Sequence, residues 1–142
     1  MSNRTARFEY IEHTADVGVK LYAPTQKGIF RVAAQSLFAI ICDLRKVNLN
    51  IKKEVNLQAL DQESLLVNWL SELNYIFLTE KVIPKKFDIV KLTRNAISAE
   101  IRGELLDLSK HEIYTEVKAV TYHGLYIKKV DSGYEAQVIF DL

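Results

Sequence analysis

Apolar and polar residues alternate with a period of two near both ends of the chain, and recur at helical spacing twice in between. That pattern predicts short strands interrupted by two amphipathic helices. Phe8 and Tyr10, then Val17, Val19 and Leu21, mark two strands around a polar turn spanning His13–Asp16. Pro24-Thr25 breaks the run, and Thr25 is placed to cap a helix over about 25–42, whose apolar positions include Ile29, Val32, Ala33, Leu37, Ile40 and Ile41. Asp43-Leu44 closes it. Val47, Leu49, Ile51, Val55 and Leu57 return to the two-residue period, as two strands or one with a bend.

Asp61 is the candidate cap of a second helix over roughly 62–79, with Leu65, Leu66, Trp69, Leu70, Leu73, Ile76 and Phe77 on a broad apolar face. Pro84 and Lys85-Lys86 read as a solvated connection into a strand around Phe87, Ile89 and Leu92. A turn at Asn95-Ala96 leads to Ile97, Ala99 and Ile101, with Gly103 marking a bend or bulge. Residues 107–115 read as a loop or short helical turn. Val117–Val120 and Leu125–Ile127 are short strand candidates. Asp131-Ser132-Gly133 turns the chain into a last strand carrying Tyr134, Ala136, Val138 and Phe140 on one face. Two helices among seven or more strands predict an α+β fold. The expectation is a single two-layer domain over 1–142, with helices covering one face of a mixed or antiparallel sheet.

Composition narrows the function. Apolar residues are 49% and charged residues 26% of the 142, as in an ordinary globular domain. The 19 basic and 18 acidic residues nearly balance at +1, which argues against a protein that coats nucleic acid electrostatically. One cysteine, Cys42, excludes an internal disulfide and a cysteine-cluster metal site; at the end of a helical run it reads as a small buried hydrophobe. No apolar run is long enough to span a bilayer and no signal-peptide core precedes the first strand, so the expectation is a cytoplasmic protein with no membrane partner.

Polar residues concentrate in Glu12-His13-Thr14-Ala15-Asp16-Val17-Gly18 and in Phe140-Asp141-Leu142. If folding joins these ends, the carboxylates of Asp16, Asp141 and the Leu142 terminus make an anionic pocket of hard oxygen ligands suited to a divalent cation. The plainer roles are a turn or cap for Asp16 and a strand end at the surface for Asp141. His13 is open to a structural hydrogen bond, a metal or proton exchange, and His123 is a weaker candidate at a strand-to-turn junction. Glu12 and Asp43 would widen an acidic rim, although Asp43 is equally natural at a helix end. Lys118, an isolated cation between apolar positions, is either solvated on the sheet surface, beside the acidic pocket, or against a partner's phosphate or carboxylate. No serine elbow, phosphate loop or nucleotide-binding glycine fingerprint is present, which makes a metal-organised helper more persuasive than a self-contained enzyme.

The run Glu12–Gly18, together with Lys118-Ala119-Val120-Thr121-Tyr122-His123 and Val138-Ile139-Phe140-Asp141-Leu142, resembles the archease family. Ala33-Ala34 and Trp69-Leu70-Ser71-Glu72-Leu73 extend the resemblance over nearly the whole chain. The resemblance implies a non-catalytic activator of an RtcB-type RNA-splicing ligase in tRNA splicing, promoting ligase guanylylation and multiple turnover. It implies metal ligation by Asp16, Asp141 and Leu142, with calcium as the associated ion, and a functional role for Lys118. His13, Asp43 and His123 fall in or near recurring motifs without being assigned as ligands. Guanine nucleotide is expected on the partner ligase, with tRNA exon ends only transiently near. The rival readings are a small metal-dependent hydrolase and an RNA-binding or chaperone module.

Overall fold

Each helix begins where a side chain can satisfy a backbone donor left open by the first turn. The Thr25 hydroxyl accepts the Gly28 amide at 3.0 Å and starts α1, Gln26–Ile41. The Asp61 carboxylate accepts the Ser64 amide at 2.8 Å and starts α2, Gln62–Glu80. In the computed structural model, which describes residues 5–12 and 15–142, these helices join seven strands. They are β1 (Arg7–Glu12), β2 (Asp16–Ala23), β3 (Ile51–Gln58), β4 (Val82–Leu92), β5 (Ala96–Leu105), β6 (Ala119–Val130) and β7 (Gly133–Asp141).

The fold is α+β, and every strand pairing is antiparallel. The strands divide between two sheets, one ordered β1-β2-β7-β6 and the other β3-β5-β4. Both helices pack against both sheets: α1 on β2, β7 and β4, and α2 on β6 and all three strands of the smaller sheet. A single apolar stripe would serve one sheet only. In α1, however, Ile29, Phe30, Val32, Ala33, Ala34, Leu37, Phe38 and Ile41 are all buried, covering more than one side of the helix. Trp69 joins the helices, its indole N–H donating to the Phe30 carbonyl at 2.9 Å while the ring stays fully buried. Phe38 meets Phe77 edge-on and stacks on Phe87, tying both helices to β4. One continuous hydrophobic cluster results, running from β2 and β7 through both helices to the smaller sheet.

Three local expectations change. Pro84 lies inside β4, not in a solvated connection, because β4 is an edge strand and the register slips between Pro84 and Lys86, where no ladder donor is needed. The two candidate strands at 117–120 and 125–127 belong to one long β6 whose register slips between Thr121 and Tyr126. Residues 44–46 form a short 3₁₀ turn, and the strand begins only at Ile51. Gly103 pairs with Pro84, and any Cβ there would overlap the Ile83 carbonyl. It marks a close backbone approach.

The segment from β5 to β6 has almost no regular structure, yet it delivers residue 118 to the sheet. Its anchors are specific. The Leu106 amide donates to the Lys81 carbonyl at 2.7 Å, and the Tyr114 amide to the Ile41 carbonyl at 2.7 Å. Glu104 and His111 are buried together, with His111 Nε2 2.8 Å from Glu104 Oε2. His111 Nδ1 accepts the Asp107 amide at 3.0 Å, which leaves the ring proton on Nε2, facing the carboxylate. Lys110 Nζ and the Asn48 amide also donate to Glu104. Hydrogen bonds from Lys110, Asn48 and His111 hold the Glu104 carboxyl down at about 2 despite its burial.

Two outcomes follow from this framework. Gly103→Ala should destabilise the fold by about 2–4 kcal/mol, since only backbone can yield; chemical denaturation of the variant measures it. Because the folded-state pKa of Glu104 is depressed, its contribution is complete above the ordinary glutamate range and is lost as pH falls toward about 2. Stability curves of the parent and Glu104→Gln should therefore converge in acid and separate near neutrality.

Candidate functional site

The site is built by strand register. β2 and β7 pair antiparallel along their whole lengths, with Asp16 opposite Asp141, Val17 opposite Phe140 and Val19 opposite Val138. Side chains alternate between sheet faces, so Val17, Val19 and Leu21 turn toward the helices with Phe140, Val138 and Ala136. The same parity places Asp16 and Asp141 together on the opposite face. Antiparallel partners directly across a ladder have Cβ atoms about 4.5–5.5 Å apart, and like charges there repel. The strand end is fastened on both sides: the Lys118 amide donates to the Asp141 carbonyl at 2.8 Å, and the Leu142 amide to the Ala15 carbonyl at 3.3 Å. Asp16, Asp141 and Leu142 thus converge, as their separation in sequence could not show.

A cavity of about 670 Å³ opens on this face, lined by Ile11, Ala15, Asp16, Lys20, His123, Gly124, Gln137 and Ile139. His123 reaches it through the irregular stretch of β6. There Gly124 takes φ +69°, a conformation open to glycine, and its carbonyl accepts the Gln137 side chain at 2.9 Å. This bulge turns the 122–124 segment out of the ladder and brings His123 to the cavity that Asp16 also lines. Lys20 and Gln137 escaped the sequence reading. Their signal is the same two-residue parity that links them to Asp16 and Asp141.

Electrostatics fit a hard cation. Asp16 Oδ1 is buried and has no hydrogen-bond partner among the described residues. Neither Asp16 nor Asp141 has an ion-pair partner within 4.0 Å among those residues. A buried, unpaired carboxylate oxygen opposite a second carboxylate is an arrangement that a divalent ion would relieve. No three His, Cys, Asp or Glu side chains gather among the described residues. Among the described residues, the side chains of Asp16 and Asp141 are a pair of hard oxygen donors, of the kind calcium and magnesium take together with carbonyls and water.

The remaining candidates separate. The Asp43 carboxylate accepts the Arg45 amide and pairs with the Arg45 guanidinium at 3.0 Å, interactions that hold it below the usual carboxylate range; it caps the 44–46 turn and does not line the Asp16 cavity. Lys118 shares the strand end through its backbone, but its side chain lies in a different groove against α2. His13 lies outside the described residues. Cys42 is 2% exposed, and burial raises its thiol to about 11, keeping it protonated and inert.

Residues 8–142 match the Archease protein family (MTH1598/TM1083). The chain belongs to the archease family. "Protein archease" of Methanosarcina barkeri (strain Fusaro) is 37% identical over 146 residues, covering all of both chains. The solution structure of Methanobacterium thermoautotrophicum protein 1598 superposes with a TM-score of 0.81 at 33% identity, over 95% of this chain and 98% of that one. A Thermotoga maritima archease described as a possible chaperone shares the fold, with a TM-score of 0.66 at 22% identity over 93% and 94% of the two chains. No helix among the described residues is long and apolar enough to cross a membrane.

The opposed carboxylates give a direct test. Without divalent ions, Asp16→Asn should be as stable as the parent or more stable by up to about 1 kcal/mol, because it removes one of two facing charges. If the pair holds calcium, the ion should raise the parent's melting temperature, and Asp16→Asn should lose that rise. A calcium response equal to the parent's would remove Asp16 from the ion site.

Proposed function

We propose that this archease is a non-catalytic activator of an RtcB-type RNA-splicing ligase, acting in tRNA splicing through the surface organised by Asp16 and Asp141. One observation carries the reading: two carboxylates from the first and last parts of the fold are locked opposite each other, with one oxygen buried and unpartnered among the described residues. Asp16, Asp141 and the Leu142 carboxyl would hold a divalent cation, calcium by family association, which would neutralise the opposed charges. The paired strand ends fix these groups on a rigid sheet, so little ordering is needed when a partner docks. Lys118 is tied by its amide to the same strand end and gives the partner a cation in the separate groove against α2. The protein contributes docking energy that differs between two ligase conformations, and only such a difference shifts their populations. Guanylate and exon ends stay on the ligase.

The hydrolase reading draws on His123, which faces the same cavity as Asp16. Phosphate or peptide hydrolysis by the isolated protein, lost in Asp16→Asn, would establish it over the activator.

Purified ligase should load guanylate faster and turn over repeatedly only when this protein is present. Asp16→Ala, Asp141→Ala and a peptide extension after Leu142 should each reduce that stimulation at least about tenfold while the far-ultraviolet spectrum stays native. Equal guanylate loading with and without the parent protein would reject the proposal.

A further inference from the structure

A second recess lies between α2 and the start of β6, about 280 Å³ in volume and lined by Ser71, Asn74, Tyr75, Leu78, Lys118 and Val120. It shares no lining residue with the Asp16 cavity. Three of its groups lack a partner suited to their chemistry among the described residues. Asn74 is 5% exposed, and its Nδ2 donates to the Val117 carbonyl at 2.8 Å. That bond fixes the amide's orientation, since a flip would set two oxygens against each other. Its Oδ1 is consequently buried without a donor among the described residues. Native proteins rarely leave such an acceptor unpaired. The Tyr75 ring stands 60% exposed at the rim. Lys118 is exposed and has no carboxylate within ion-pair distance among the described residues.

We propose that this groove receives an acidic segment of the partner protein. A carboxylate of that segment pairs with Lys118, an N–H satisfies Asn74 Oδ1, and an apolar side chain packs on Tyr75 and Leu78. An RNA backbone fits less well. Its phosphates are held by several cations rather than one, and it brings no apolar side chain to pack on Tyr75 and Leu78. Apolar walls and a rim tyrosine are the features of a protein anchor site. The inference rests on the ligase-activator reading and deepens it: Lys118 serves a docking contact distinct from the ion site, although its amide is bonded to Asp141.

The test uses the full-length protein and purified ligase. Tyr75→Glu, at an exposed position, sets a negative charge beside Lys118 and should weaken ligase binding by at least about tenfold, the scale of one charge-assisted contact. Its calcium-induced rise in melting temperature should equal the parent's. A photo-crosslinking residue at position 75 should attach to the ligase, whereas one at exposed Leu60 should not. If the parent stimulates the ligase but Tyr75→Glu binds it within twofold of the parent, the groove assignment is overturned and the activator reading survives. If Tyr75→Glu weakens binding of a tRNA exon transcript and not of ligase, the occupant is RNA and the proposal fails. A parent that neither binds nor stimulates the ligase overturns both.

Discussion

The ladder between β2 and β7 is the constraint on which the rest depends. It pairs Asp16–Ala23 with Tyr134–Asp141, strands separated by more than a hundred residues of chain, at the centre of the four-stranded sheet. One face of that ladder supplies Val19, Leu21, Ala136, Val138 and Phe140 to the core, each with no measurable exposure. The other face carries Asp16, Lys20, Gln137 and Ile139 around the cavity. A slip of one residue would expose the first set and bury the second. The apolar energy that fixes the register therefore also fixes the carboxylates opposite each other, against their own repulsion.

Burial on the core face supplies the stability that offsets the repulsion on the polar face. Fully removing side chains of this size from water contributes about 1.5–3 kcal/mol each. Several such residues readily outweigh one unfavourable carboxylate pair. The same logic runs through the 106–118 segment. There Glu104, Lys110 and His111 hold an irregular stretch so that Val117 is buried and Lys118 emerges at a defined place. Among the described residues, polar groups without such compensation include Asp16 Oδ1 and Asn74 Oδ1, where a ligand is proposed to act.

Much of the fold was legible in the sequence because local chemistry determined it. Thr25 and Asp61 cap where expected, and the apolar periodicities of α1 and α2 identify both helices. The division into two sheets was not legible. Periodicity tells which face of a strand is buried but not which strand lies beside it, and the burial of α1 on several sides was the only hint that it serves two layers. Pro84 misled because proline's meaning depends on edge position, a property of the assembled sheet. At the site, composition nominated Asp16 and Asp141, and the ladder supplied their proximity. His123 needed the β6 bulge to reach the cavity, and Lys118's orientation toward α2 depended on a loop with no periodicity to read.

The central place of β7 also has a consequence for biosynthesis. The ribosome makes this strand after both of its neighbours, so β2 and β6 must wait with unmatched hydrogen-bonding edges until it arrives. Long-range closure of this kind slows folding, and open edges in the interval invite mispairing. A nascent chain interrupted before Gly133 would contain both helices and strands β1 to β6, yet could not assemble the carboxylate pair. Synthesis of β7 is in this sense a checkpoint: only a chain that already contains this strand can set Asp141 opposite Asp16.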